Sequence, residues 1–197
     1  MNRREATKNT ALLLGLTVSG STIAAMFSSC QKQNRLDWKP VFFTDEEALS
    51  ISALTDTILP KTETPSATEL KVDIFVDLMM RKSLSPENQE HVKKGYARFV
   101  ELTNEMHGKA FHLLSDSQKQ EVVKSLAGES NKFVMSVWGS PIGEQPPLDF
   151  FRRVKQFTLI GYFTSEHIGK NVLAYDPIPG EQKGCIPFNE VGRSWSL

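Results

Sequence analysis

Apolar side chains recur every three or four positions along most of the chain, bracketed by residues that start or stop helices. Thr44-Asp45-Glu46-Glu47 sets a hydroxyl three residues before a carboxylate, which satisfies free amide donors at a helix start. Ala48, Leu49, Ile51, Leu54, Ile58 and Leu59 follow at helical spacing, and Pro60 ends the run. Residues 60–69 predict a turn-rich loop. Val72, Ile74, Phe75, Leu78, Met79 and Met80 predict a second helix. Pro86 stands in the first turn of a third, where its missing donor costs little. Val92, Tyr96, Phe99, Val100 and Leu102 share one side of that helix, and Gly108 is its stop. Ser115-Asp116-Ser117-Gln118 opens a fourth, with Val122, Val123 and Leu126 inside and Gly128 at its end.

Further on, Phe133, Val134 and Val137 begin a short segment that breaks at Gly139-Ser140-Pro141. Residues 143–147 read as a loop and 148–167 as a helix rich in Phe and Leu. From Asn171 the prolines and glycines predict an irregular tail, packed by Tyr175, Phe188 and Trp195. No stretch sustains the period of two that a half-buried strand needs. The expectation is therefore all-α: one compact helical domain over residues 44–197 with an irregular C-terminal tail. Residues 30–43 read as a spacer ending in apolar anchors, Trp38, Val41, Phe42 and Phe43.

Residues 1–29 read differently. Arg3, Arg4 and Lys8 precede an uncharged run from Thr10 to Phe27, which ends at Ser28-Ser29-Cys30 before the chain turns polar. A positive start, an apolar stretch and small residues before a cut site make a secretory signal. The Arg3-Arg4 pair resembles the twin-arginine type, an address that a receptor reads on folded cargo. Asn2 and Ala6-Thr7 depart from its strict pattern. Phe27-Ser28-Ser29-Cys30 resembles the lipobox of bacterial lipoproteins, whose cysteine becomes the lipidated first residue. Each buried methylene contributes about 0.8 kcal/mol, so several acyl chains anchor where one would not. The competing reading is a retained helix, just long enough to span but weakened by Gly15, Thr17, Ser19, Gly20, Ser21 and Thr22.

Charge changes the picture by exclusion. Lys plus Arg and Asp plus Glu are each 23 over the chain. Residues 1–29 hold Arg3, Arg4, Lys8 and Glu5, so the remainder has 20 basic and 22 acidic side chains, near −2. That gives no basic field for nucleic acid and no polybasic membrane patch. Of the two cysteines, Cys30 is expected to carry lipid and Cys185 to remain a single thiol; a Cys30–Cys185 bridge is the competing pairing.

Motifs for chemistry are not found. The chain has no Gly-x-Gly-x-x-Gly and no Gly-x-Ser-x-Gly, and no Cys-x-x-Cys-His that would attach haem. Its histidines, His91, His107, His112 and His167, build neither His-Glu-x-x-His nor repeated Glu-x-x-His. Glu87 and His91 share a helix face, which reads as a solvated pair. No catalytic, cofactor-binding or metal residues are assigned. The aromatic pairs Phe150-Phe151 and Tyr162-Phe163, with Trp38 and Phe42-Phe43, read as core or as a docking face.

Several segments, in order, resemble the gluconate 2-dehydrogenase subunit 3 family. Asp56-Thr57-Ile58-Leu59-Pro60 ends a helix, Thr64-Pro65-Ser66-Ala67 forms the loop, and Phe75-Val76-Asp77 lies on the next helix. Ser66 stands where the family commonly has glycine. Phe150-Phe151 then leads to Gly161-Tyr162-Phe163-Thr164-Ser165-Glu166, followed by Tyr175-Asp176-Pro177-Ile178-Pro179-Gly180 and Gly184-Cys185. The resemblance covers about residues 45–190, and a twin-arginine signal is itself typical of the family.

The resemblance implies a small, non-catalytic subunit of a membrane-associated dehydrogenase that oxidises sugars or sugar acids. The large subunit would hold FAD, and a multihaem cytochrome c is a further expected partner. The small subunit would assist maturation, twin-arginine export and tethering at the bacterial envelope, facing the periplasm through a lipid anchor. Arg3 and Arg4 would then serve export and Cys30 lipidation. Candidate contact residues are Asp56, Thr57, Pro60, Thr64, Pro65, Phe150, Phe151, Tyr162, Phe163, Ser165, Tyr175, Pro179, Gly180 and Cys185. The alternative reading is a stand-alone envelope lipoprotein binding a small ligand or polysaccharide, for which a pocket with converging polar groups is the discriminator.

Overall fold

The computed structural model describes residues 36–130, 143, 147–176, 178, 180–181 and 185–196. Arg3, Arg4, Cys30, Pro179 and the segment expected from Phe133 to Val137 lie outside the described residues. Helix α1 spans Asp45–Ile58, α2 Val72–Lys82, α3 Pro86–His107, α4 Asp116–Glu129, α5 Phe150–Phe163 and α6 Phe188–Val191. A 3-10 turn, Phe111–Leu113, links α3 to α4, and a wide π-type turn, Ile168–Val172, follows α5. Among the described residues every regular element is helical. The one pairing of extended backbone is an isolated bridge between Ala174 and Trp195.

Local chemistry explains most of the boundaries. Thr44 and Glu47 close a reciprocal cap on α1, and Ser115 and Gln118 do the same on α4. Ser85 caps α3 with Pro86 behind it, and Gly108 ends α3 in the left-handed region at φ 64°. Asp149 accepts from the Arg152 amide at 2.9 Å, so α5 begins at Phe150 and not at residue 148. It ends at Phe163, short of His167, because Thr164 turns the chain there. Helix α4 runs through Gly128 to Glu129; nothing near Gly128 forces a turn.

The core lies where α1, α2, α3 and α5 meet. Ile51, Leu54, Val72, Val76, Met80, Val92, Phe99, Phe111, Val122, Val154 and Ile168 are fully buried. Burying such a side chain contributes about 1.5–3 kcal/mol. Aromatic rings run through this core from Phe43 to Tyr96, then to Phe99 and Phe150, at centroid distances of 5.9, 5.9 and 5.7 Å for Phe43–Tyr96, Tyr96–Phe99 and Tyr96–Phe150.

Two helix crossings depend on glycine. A Cβ on Gly95 would stand 2.4 Å from the Cβ of Phe150, and one on Gly161 would stand 2.6 Å from the Phe75 ring. Without side chains there, α3 approaches α5, and Phe75 of α2 seats on α5.

The chain before α1 is held by one carboxylate. Asp77, 2% exposed, accepts from the amides of Val41, Phe42 and Phe43 at 2.7, 3.1 and 3.0 Å. Three consecutive donors on one buried carboxylate make a strong clasp. Phe43 is buried under it, but Val41 is exposed, contrary to its expected role as an anchor. The carboxylate holds the Val41 backbone and leaves its side chain facing out. Val100 is likewise exposed, on the edge of α3 beyond its buried stripe. Tyr175, Phe188 and Trp195, expected to pack the tail, all face solvent. The tail is closed by backbone pairing instead.

Candidate functional site

The residues that carry the resemblance meet around the loop between α1 and α2. Asp56 accepts from the Thr68 amide at 2.8 Å and from its hydroxyl at 2.6 Å. From α5, the Tyr162 hydroxyl lies 2.9 Å from both Thr64 Oγ1 and the Pro65 carbonyl. Tyr162 is buried, so its hydroxyl needs such a partner. The Ala67 amide donates to the Leu59 carbonyl at 3.1 Å, folding the loop back on the end of α1. Glu69 accepts from the Ser66 amide and pairs with Lys61, whose ammonium holds the Glu69 carboxyl below the usual range. Thr57 donates to the Ala53 carbonyl within its own helix, and Pro60 is exposed. Asp56, Thr64, Pro65 and Tyr162 therefore act together, as staples of a loop.

A second buried acid lies beside them. Asp73 accepts from Ser52 Oγ at 2.6 Å and from the Ile74 amide at 3.0 Å. Burial raises the Asp73 pKa, against the lowering effect of those two hydrogen bonds, and the nearby Asp56 charge adds to the rise.

Other candidates lie elsewhere. Phe150 and Phe151 are buried in the core, and Phe150 meets Gly95. Ser165 donates to the Tyr162 carbonyl at 2.7 Å, ending α5. Phe163 is exposed beside Tyr162. Tyr175, Gly180 and Cys185 are exposed along the tail.

One cleft escaped the sequence reading. Between the first turns of α1 and the C-terminal half of α3 lies an open cavity of about 450 Å³. Glu46, Glu47 and Ser50 line one wall, Tyr96, Thr103 and Asn104 another, and Lys109 stands at its edge over a floor of Phe99 and Phe111. Burial, with Glu47 and Glu46 adding to it, pushes the Tyr96 hydroxyl up to about 12, while a hydrogen bond with Ser50 opposes the rise. Tyr96 is thus a neutral donor at ordinary pH. Ser50 Oγ and His112 Nδ1 lie 3.2 Å apart, 62 residues distant in sequence. Burial lowers the His112 pKa, against the raising effect of Glu46. Ser50 is itself buried on α1, so the contact reads as a tie between α1 and the 3-10 turn. Sequence spacing gave no signal for it.

Among the described residues, no group of three or more His, Cys, Asp or Glu side chains could hold a metal ion. None of the described helices is long and apolar enough to cross a membrane.

The fold and its stapled loop define a small all-helical packing domain. The chain belongs to the gluconate 2-dehydrogenase subunit 3 family, whose description matches residues 45–180. It is thereby of the type that forms one subunit of a multi-subunit dehydrogenase complex. No curated protein and no solved structure matches the chain.

Proposed function

We propose that this chain is the non-catalytic small subunit of an FAD-dependent sugar or sugar-acid dehydrogenase. It helps the flavoprotein mature, accompanies it through twin-arginine export, and tethers it at the envelope through lipidated Cys30. FAD belongs to the larger subunit, and a multihaem cytochrome c is the electron acceptor within the complex. The family match supports this reading, and one observation carries it. While Glu166, Tyr175 and Asp176 are exposed, three groups of the shared segments, Asp56, Asp77 and Tyr162, are committed to backbone and loop hydrogen bonds within the domain. Such residues shape a surface; they do not present reactive groups to a substrate.

The test is removal of this chain from the cells that make it. The flavoprotein should then fail to reach the envelope with FAD bound, and full-length chain should restore it. Chain with Arg3 and Arg4 changed to Lys should not restore it, and Cys30→Ala should release the complex from membranes. Normal delivery of active flavoprotein in the chain's absence would contradict the proposal.

The cleft supports a second reading, in which the domain also binds a small polar ligand. It combines an aromatic floor with converging hydroxyl, amide and carboxylate groups, as small-molecule sites do. Saturable quenching or shifting of Tyr96 signals by a small ligand would favour that reading. Its absence across a broad set of small polar compounds would oppose it.

A further inference from the structure

We propose that the cleft between α1 and α3 is a site for a small zwitterion, an α-amino acid with an apolar side chain. This rests on the second reading above, that the cleft takes a small ligand, and names the chemistry of that ligand.

The cleft brings together two opposite charges that the domain does not pair. Glu46, in the first turn of α1, and Lys109, just past the end of α3, both line it. Among the described residues neither makes an ion pair. The third charge on the lining, Glu47, is turned back on its own helix, where its carboxylate accepts from the Thr44 amide at 2.9 Å. It stays negative, beside the positive end of the α1 dipole. His112 is near enough to feel Glu46 but is no standing partner for it. Burial lowers the His112 pKa against the raising effect of Glu46, and Lys119 adds to the fall, so the ring is neutral at neutral pH.

Behind these charges lie groups suited to a ligand. Ser50 and Thr103 are buried hydroxyls on the lining, 5% and 2% exposed. Thr103 donates its own proton to the Phe99 carbonyl at 2.7 Å, which leaves its oxygen to accept. Tyr96, neutral at ordinary pH, adds a hydroxyl donor from α3. Val100, 38% exposed, and the rings of Phe99 and Phe111 supply an apolar side. A volume of about 450 Å³ lies toward the lower end of small-molecule sites and has room for one amino acid.

Charge and desolvation together select the occupant. A ligand seated here covers both Glu46 and Lys109, and a charge that loses water without gaining a partner is costly. A neutral polyol leaves both unpaired. A simple anion meets Glu46 and Glu47, and a simple cation meets Lys109. A zwitterion answers both charges. Its ammonium pairs with Glu46, with the Thr103 oxygen as a further acceptor. Its carboxylate pairs with Lys109, with the Tyr96 hydroxyl as a further donor. Its apolar side chain then covers Val100 above the ring floor.

The test is isothermal titration of the purified full-length chain, in mild detergent, with L-leucine, N-acetyl-L-leucine and L-leucinamide. The free amino acid should bind saturably, and each capped form, lacking one charge, should bind at least tenfold more weakly. Glu46→Gln should weaken L-leucine at least tenfold and remove its advantage over the N-acetyl form. Lys109→Met should weaken it as much and remove its advantage over the amide. Both positions are exposed, so the circular-dichroism melts of the variants should match wild type. Capped forms that bind as well as L-leucine, or binding that survives in both variants, would overturn the proposal. Binding of a neutral polyol such as sorbitol, with none of L-leucine, would overturn the zwitterion and leave the cleft reading intact. No saturable binding by either, or by the broad set of polar compounds above, would sink both.

Discussion

Gly95 and Phe150 touch almost backbone to backbone: a Cβ on the glycine would lie 2.4 Å from the Cβ of the phenylalanine and 3.4 Å from its Cα and N. Neither helix has a flexible side-chain end there that could swing aside. The contact fixes how closely α3 approaches α5, and with it the stack of Tyr96, Phe99 and Phe150.

Gly95→Ala should therefore destabilise the fold. Alanine favours a helix interior by roughly 1 kcal/mol over glycine. Overpacking at a backbone contact costs about 1–3 kcal/mol or more, and here it wins, for a net loss of about 2 kcal/mol. Gly161→Ala meets the Phe75 ring, which can tilt, so its loss should be smaller and should shrink further in Phe75→Leu. Urea unfolding measures both. A neutral Gly95→Ala would show that the helices part easily.

Asp77 is the clasp for the chain entering α1. Asp77→Ala strands three amide donors, and Asp77→Asn turns an NH₂ toward at least one of them. Hydrogen bonds to a charged group contribute about 1.5–3 kcal/mol each when removal leaves a buried donor. Only the Phe43 amide is left buried, while those of Val41 and Phe42 can reach water, so a loss of about 3 kcal/mol is expected for Ala and about 2 kcal/mol for Asn. Amide hydrogen exchange at Val41–Phe43 should quicken in both. Unchanged exchange there would contradict the clasp.

Tyr162→Phe removes a single hydroxyl from the α1–α2 loop. The expected cost is about 1 kcal/mol, with faster limited proteolysis across residues 60–69. Recovery of the partner should be unchanged, because Tyr162 is buried and its hydroxyl is spent within the loop. Loss of the partner without loss of stability would place a docking contact at this loop.

Asp73 makes stability depend on pH in a stated direction. Its folded-state pKa is raised by burial, so the folded chain holds this proton more tightly than the unfolded chain. The stability it contributes is present below the unfolded pKa and is lost as pH rises through the folded one. Asp73→Asn can keep an acceptor for Ser52 and carries no charge. The stability of the variant relative to wild type should thus improve as pH rises from the acid range toward neutral, then level off. A difference that is flat, or falls, over that range would contradict the assignment.

Much of the helical order was legible because its causes are local. Thr44 with Glu47, Ser115 with Gln118, Pro86 and Gly108 each act within one turn, and each lies where the sequence pattern placed it. The short turns at Phe111–Leu113 and Ile168–Val172 and the four-residue α6 were not legible, since so few residues show no period. The clasp from Asp77 to Val41 spans 36 residues, and the Ser50–His112 tie spans 62. Only tertiary folding brings such groups together. The aromatic tail misled for the reverse reason. Composition marked Tyr175, Phe188 and Trp195 as packing residues, but whether an apolar side chain finds a core depends on the space left for it.

The central claim is that this chain works by holding a flavoprotein. Native mass measurement of the detergent-purified complex, paired with dehydrogenase assays of the complex and of the separated chain, tests it most directly. The expected result is one assembly containing this chain and a flavin-bearing larger chain, with all turnover in the assembly. Sugar oxidation by the separated chain, or its recovery from native membranes with no flavoprotein attached, would contradict it.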